Sequence, residues 1–173
     1  MRRILMVDDD SGVLRAMERT LRSPEKYTIL SCTSSAAALE LAEHKGFDLV
    51  ISDYRMPEMD GVTFLQRFSV LQPDAGRMMV SGHSDREALS GALNVAHVYS
   101  YVEKPWDGEQ LRNIVAEALK YRDIVAHASY LDTVVLKQRD CIEKQERIFQ
   151  HIRHHHPEIM LKALANYDLA CVS

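Results

Sequence analysis

Along residues 1–122, short apolar runs alternate with stretches whose apolar residues recur every three or four positions. This is the pattern of βα units on a parallel sheet covered on both faces. The runs predict strands at 4–7, 27–31, 47–52, 77–80 and 98–102. The amphipathic stretches predict helices at 11–22, 35–45, 59–71, 84–95 and from 107 onward. Ser84 with Glu87 has capping-box spacing, and Asp107 with Gln110 is a weaker version of it.

The fifth helix carries no stop signal. Neither Gly nor Pro occurs from Glu109 to His156, so one helix is expected up to Pro157. Such a rod would be about 75 Å long, against a radius of gyration of about 13 Å for a hundred-residue domain. Ala128, Leu131, Val135, Ile142, Phe149 and Ile152 fall on a heptad spacing, with Gln138 and Gln145 in the two remaining core positions. An earlier series, Leu111, Ile114, Ala118, Tyr121, Val125 and Ala128, joins it through a three-residue step, like a stammer. Asp140 with Lys144 and Glu143 with Arg147 are i,i+4 charge pairs in the favourable order. The expected organisation is a domain at 1–122, a helical, coiled-coil extension at 123–156 that forms a homodimer, and a tail at 157–173. The alternative is an exposed helix that packs back on its own domain or frays.

Composition narrows the function. The 173 residues, 46% hydrophobic and 27% charged, suffice for one ordinary α/β domain with about fifty residues to spare. No apolar run nears the roughly 20 residues needed to cross a bilayer, and the opening Met1-Arg2-Arg3-Ile4 reaches Asp8 too soon for a signal peptide. A soluble, cytoplasmic chain without membrane contact is expected. Cys32, Cys141 and Cys171 are odd in number and widely spaced, which fits reduced thiols. The net charge of -4 divides into 12 Lys+Arg against 15 Asp+Glu over residues 1–106, and 9 against 10 over 107–173. Neither part is a basic platform, so direct nucleic-acid binding is not expected.

The chemistry lies where the predicted strands end, because functional groups of an open parallel sheet gather at the carboxyl ends of its strands. The first strand ends in Asp8-Asp9-Asp10, the third in Ser52-Asp53, the fourth in Ser81-Gly82 and the fifth in Glu103-Lys104-Pro105. Singly, each reads as a helix cap or turn. Together they form one site. Asp8, Asp9 and Asp53 would repel one another without a hard cation, and Mg²⁺ suits such a set because it takes one or two carboxylates and leaves room for phosphoryl oxygens. An exposed carboxylate can also attack phosphorus to give an aspartyl phosphate. Lys104 would neutralise the phosphoryl oxygens and Ser81 would donate a hydrogen bond to one of them. Elsewhere, His151, His154, His155 and His156 include an i,i+4 pair, but no Cys, Asp or Glu nearby completes a ligand set, so a solvated helix end is the preferred reading. The chain has no adjacent His-Asp pair, which removes one class of metal-dependent phosphodiesterase.

Over residues 1 to about 122 these motifs resemble the receiver domain of bacterial two-component response regulators. The resemblance implies a flavodoxin-like, doubly wound parallel sheet of five strands in the order 2-1-3-4-5. It implies Mg²⁺ bound by Asp8, Asp9, Asp53 and the backbone carbonyl of Arg55. It makes Asp53, within Asp53-Tyr54-Arg55-Met56-Pro57-Glu58-Met59-Asp60-Gly61, the phosphoacceptor, with Ser81 and Lys104 assisting, and Ser81, Tyr101 and Pro105 as switch residues, Pro105 standing at the family's cis peptide. Ser at position 81 keeps the hydroxyl of the commoner Thr. Arg55 and His83 stand where dephosphorylation rate is set; Arg55 either shields the phosphoryl group or points to solvent. A sensor histidine kinase or phosphotransfer protein would be the donor, and no independent enzyme is expected beyond self-phosphorylation and dephosphorylation. The expected output is a change in the surface of the fourth helix, fifth strand and fifth helix, read by self-association or a partner. The rival reading makes the chain the receiver and linker of a longer regulator with an enzymatic or DNA-binding output. An adaptor that no longer accepts phosphate is disfavoured because every chemical residue is present.

Overall fold

The structure, a computed structural model, describes residues 1–23, 25–82, 98–155 and 157–158. The described elements are β1 (Arg2–Val7), α1 (Ser11–Leu21), β2 (Tyr27–Cys32), α2 (Ser35–His44), β3 (Leu49–Asp53), α3 (Gly61–Leu71), β4 (Gly76–Gly82), β5 (Ser100–Lys104) and α4 (Gly108–His155). The predicted helix at 84–95 lies outside the described residues.

The five strands form one parallel sheet in the order β2-β1-β3-β4-β5, as the resemblance implied. Central strands read as unbroken apolar runs because both of their faces are covered. Ile4, Leu5, Met6 and Val7 of β1, and Leu49, Val50 and Ile51 of β3, have no exposed surface. Alternate residues feed two cores. Ile4, Met6, Leu49, Ile51, Met78 and Val80 pack with Leu14 and Met17 of α1 and with Leu111, Val115 and Ala118 of α4. Leu5, Val7, Val50 and Met79 pack with Ala38 and Ala42 of α2 and with Phe64, Leu65 and Phe68 of α3.

Helix starts follow their caps. Asp10 accepts from the Gly12 amide (2.6 Å), Ser34 from Ala37 (3.4 Å), and Asp60 from Thr63 (2.8 Å). The Asp60 cap places the start of α3 at Gly61, two residues later than the apolar pattern suggests. The third strand starts at Leu49 although Phe47 is buried, because the Phe47 amide donates to Gln72 Oε1 (2.7 Å). The fifth runs through Lys104, since Glu103 and Lys104 pair with Ser81 and Gly82 in the β4–β5 ladder.

Two compact units divide at Ala126/His127. The first includes Arg122 and Asp123, which form an ion-pair cluster with Asp48 and Arg2 at the amino-terminal edge of the sheet (2.5–3.4 Å). In the second, the helical residues Leu131, Val135, Ile142 and Phe149 are at least half exposed. Glu143 pairs with Arg147, as expected, and also with Arg139. Among the described residues no helix is long and apolar enough to cross a membrane.

Candidate functional site

The sheet brings the strand ends together. Asp8 follows the last residue of β1, while Asp53 and Lys104 close β3 and β5. Asp8 and Asp53 are buried, and Asp9 beside them is exposed. One carboxylate oxygen from each lies within 4.8 Å of the others. Lys104 Nζ donates to Asp8 Oδ2 (2.7 Å) and pairs with Asp53 Oδ1 (2.6 Å). The remaining oxygens are held by backbone: Asp8 Oδ1 accepts from the Asp10 amide (2.9 Å) and Asp53 Oδ2 from the Arg55 amide (3.0 Å).

Burial pushes the Asp8 carboxyl above its ordinary value, and the hydrogen bonds from Lys104 and the Asp10 amide only partly offset it. Burial alone would lower the Lys104 ammonium, but the hydrogen bonds and charges of Asp53 and Asp8 outweigh it and hold Lys104 above its ordinary value. Three carboxylates against one ammonium leave the pocket net negative. Hard oxygen donors in that number, with that charge, fit a small divalent cation such as Mg²⁺.

Ser81 is buried in β4, one position beyond Val80, the ladder partner of Asp53. Tyr101 of β5 is 36% exposed. The Lys104–Pro105 peptide is cis. Arg55 is an exposed residue. His83 falls outside the described residues.

Three structural roles were not read from the sequence, although Gly61 stands in the motif that follows Asp53. The Gly61 amide donates to the Tyr54 carbonyl (2.8 Å), and a Cβ at Gly61 would be driven into the Asp53 carbonyl oxygen, so a glycine sets how closely α3 approaches Asp53. Ser34 Oγ donates to Glu58 Oε2 (3.1 Å), tying the start of α2 to the loop after Asp53. A groove of about 530 Å³ lined by Val13, Ala16, Lys104, Pro105 and Trp106 opens beside the acidic pocket. Glycine followed by an apolar run hinted at the first; the other two depend on tertiary approach and leave no local signal.

Residues 4–116 match the family model described as "Response regulator receiver domain". The chain is 34% identical to the hydrogenase transcriptional regulatory protein HoxA of Bradyrhizobium diazoefficiens, over 96% of this chain and 37% of that protein. It is 32% identical to the alginate biosynthesis transcriptional regulatory protein AlgB of Pseudomonas aeruginosa, over 82% of this chain and 31% of that protein. The chain thus spans only 37% and 31% of the length of these curated relatives. Among solved structures, the signal receiver domain of an HD domain-containing protein from Pseudomonas fluorescens superimposes with a TM-score of 0.68 at 32% identity, covering 73% of this chain and 92% of that one.

Proposed function

The chain belongs to the response regulator receiver domain family, and from that premise we propose that Asp53 accepts a phosphoryl group and that the modification is read out as a change in self-association or partner binding. The observation that carries this reading is the single ammonium of Lys104 set between the carboxylates of Asp8 and Asp53, 2.7 and 2.6 Å away. A phosphoryl group on Asp53 brings new anionic oxygens to the place where that ammonium already sits.

Asp8, Asp9 and Asp53, with the Arg55 carbonyl, would hold the Mg²⁺, which when bound supplies neutralising charge for the phosphoryl oxygens. An Asp53 carboxylate oxygen attacks phosphorus in line, the bond from phosphorus to the donor's histidine nitrogen breaks, and the leaving nitrogen keeps the electron pair. A sensor histidine kinase or phosphotransfer protein is the donor. Lys104 moves its hydrogen bond from the carboxylate to a phosphoryl oxygen, a charge-assisted contact. Ser81 donates its hydroxyl to another, and Tyr101, three residues before Lys104, turns inward. Burying an aromatic ring is worth about 1.5–3 kcal/mol, the size of a typical allosteric coupling.

The reaction is tested by exposing the chain to a small phosphodonor with and without Mg²⁺. One hydroxylamine-labile label is expected, dependent on Mg²⁺ and abolished by Asp53→Asn. Undiminished label in that variant would overturn the assignment.

A second reading draws on the match to HoxA, which covers 96% of this chain but 37% of that protein. Residues 123–173 would then be a signalling linker ahead of an output domain. The mass of the full-length gene product separates the two.

A further inference from the structure

The helical residues of the second unit leave a hydrophobic face uncovered and place charges beside it in a fixed order. Setting Ala128 at heptad position a puts Leu131, Val135, Ile142, Phe149 and Ile152 in the core positions a and d. One flank, position g, then holds Val134, Cys141 and Ile148 in the middle of the segment, with His127 and His155 at its two ends. The other flank, position e, carries Asp132, Arg139, Glu146 and Arg153, alternating in sign at seven-residue intervals. All four are exposed, as are Val135, Ile142, Ile148 and Phe149.

From this charge order we infer that the occupant of the face is a second copy of the same helix, running antiparallel and centred between Ile142 and Gln145. The inference rests on the proposed self-association and deepens it. In an antiparallel pair e faces e and g faces g. With Ile142 of one chain opposite Gln145 of the other, Asp132 meets Arg153 and Arg139 meets Glu146, each twice by symmetry. All four flanking pairs are of opposite sign. The g flank closes as Cys141 against Ile148 at its centre and Val134 against His155 at its ends. Sliding the register by one heptad either way sets Arg139 on Arg139 or Glu146 on Glu146, which repel.

A parallel pair gains none of this, because there e faces g. Arg139 would lie against Val134, Glu146 against Cys141 and Arg153 against Ile148, each charge over an apolar side chain with no counter-charge. The parallel arrangement does stack Gln138 and Gln145 on their own copies. The antiparallel one sets them against Phe149 and Ile142, where the long side chain lets the amide reach the solvent edge while its methylenes pack. Two glutamine layers favour one orientation and four ion pairs with an apolar seam favour the other; the flanks extend along the whole paired length and outweigh the two layers.

The test is sedimentation equilibrium on the full chain carrying Arg139→Glu, Glu146→Arg, or both. Each single change turns two attractive pairs into repulsive ones and is expected to weaken the dimer about tenfold, while the double change restores it to within about twofold. Singles without effect, or a double as weak as the singles, overturn the antiparallel pairing. A second readout does not depend on charge: in Ile148→Cys, mild oxidation is expected to link position 148 of one chain to Cys141 of the other, and homotypic links or none overturn the register. A chain that stays monomeric throughout overturns the self-association reading as well, whereas a dimer indifferent to these charges overturns only the inference.

Discussion

Lys104 is the one cation touching both buried carboxylates among the described contacts, so its loss should be felt before any chemistry is measured. Lys104→Met is expected to lower stability without divalent cations by about 1–3 kcal/mol, less than a fully buried pair would cost because a quarter of the lysine side chain is exposed. Denaturant titration checks this, and Mg²⁺ should recover most of the loss. In the unaltered chain Mg²⁺ is expected to raise the denaturation midpoint with its concentration, and Asp9→Ala should weaken that response at least about tenfold, or about 1.4 kcal/mol. Gly61→Ala forces a Cβ against the Asp53 carbonyl, and should cost about 1–3 kcal/mol by overpacking while slowing acceptance by Asp53. The grouping of Asp8, Asp9, Asp53 and Lys104 was legible because each follows an apolar run, and strand ends of a parallel sheet share one edge. Gly61 left only a hint, a glycine ahead of an apolar run, because a close backbone approach is a property of two elements and not of either segment alone.

The described elements were legible in kind and order, and less so in their limits. Apolar runs locate the buried centre of a strand, but the β4–β5 ladder continues into the polar Glu103 and Lys104, of which Lys104 reaches the site carboxylates. The helix starts capped by Asp10 and Ser34 were readable, whereas the Asp60 cap moves the start of α3 past the one that the apolar pattern suggests. Asp107 Oδ1 accepts from the Glu109 and Gln110 amides, both at 2.9 Å, which fulfils the spacing noted for Asp107 and Gln110. Those backbone hydrogen bonds, Gln110 first, hold the Asp107 carboxyl below its ordinary value. Because the folded value lies below the unfolded one, the contribution is fully present above the unfolded value near 3.8 and is lost as pH falls through the folded value. Asp107→Asn keeps the cap but removes its titration, so its thermal midpoint should fall less steeply than that of the unaltered chain on the acid side. Asp107→Ala should be less stable at neutral pH.

At the scale of the molecule, the length of the final helix was readable from the absence of Gly and Pro over 109–156, and the heptad spacing marked the face that a second copy would cover, while the direction of pairing emerges only when the flanking charges are set along that helix. Truncation after Ala126 keeps the ion pairs of Arg122 and Asp123 with Asp48 and Arg2. It should therefore yield a folded monomer that still accepts phosphate at Asp53, as checked by light scattering and labelling. The central claim is that the charge state of Asp53 governs association through the helical segment. Sedimentation velocity of the full chain, with and without a beryllofluoride phosphoryl mimic and Mg²⁺, tests it most directly. The account predicts a shift in the monomer–dimer distribution that is absent in Asp53→Asn, and identical distributions with and without the mimic would contradict it.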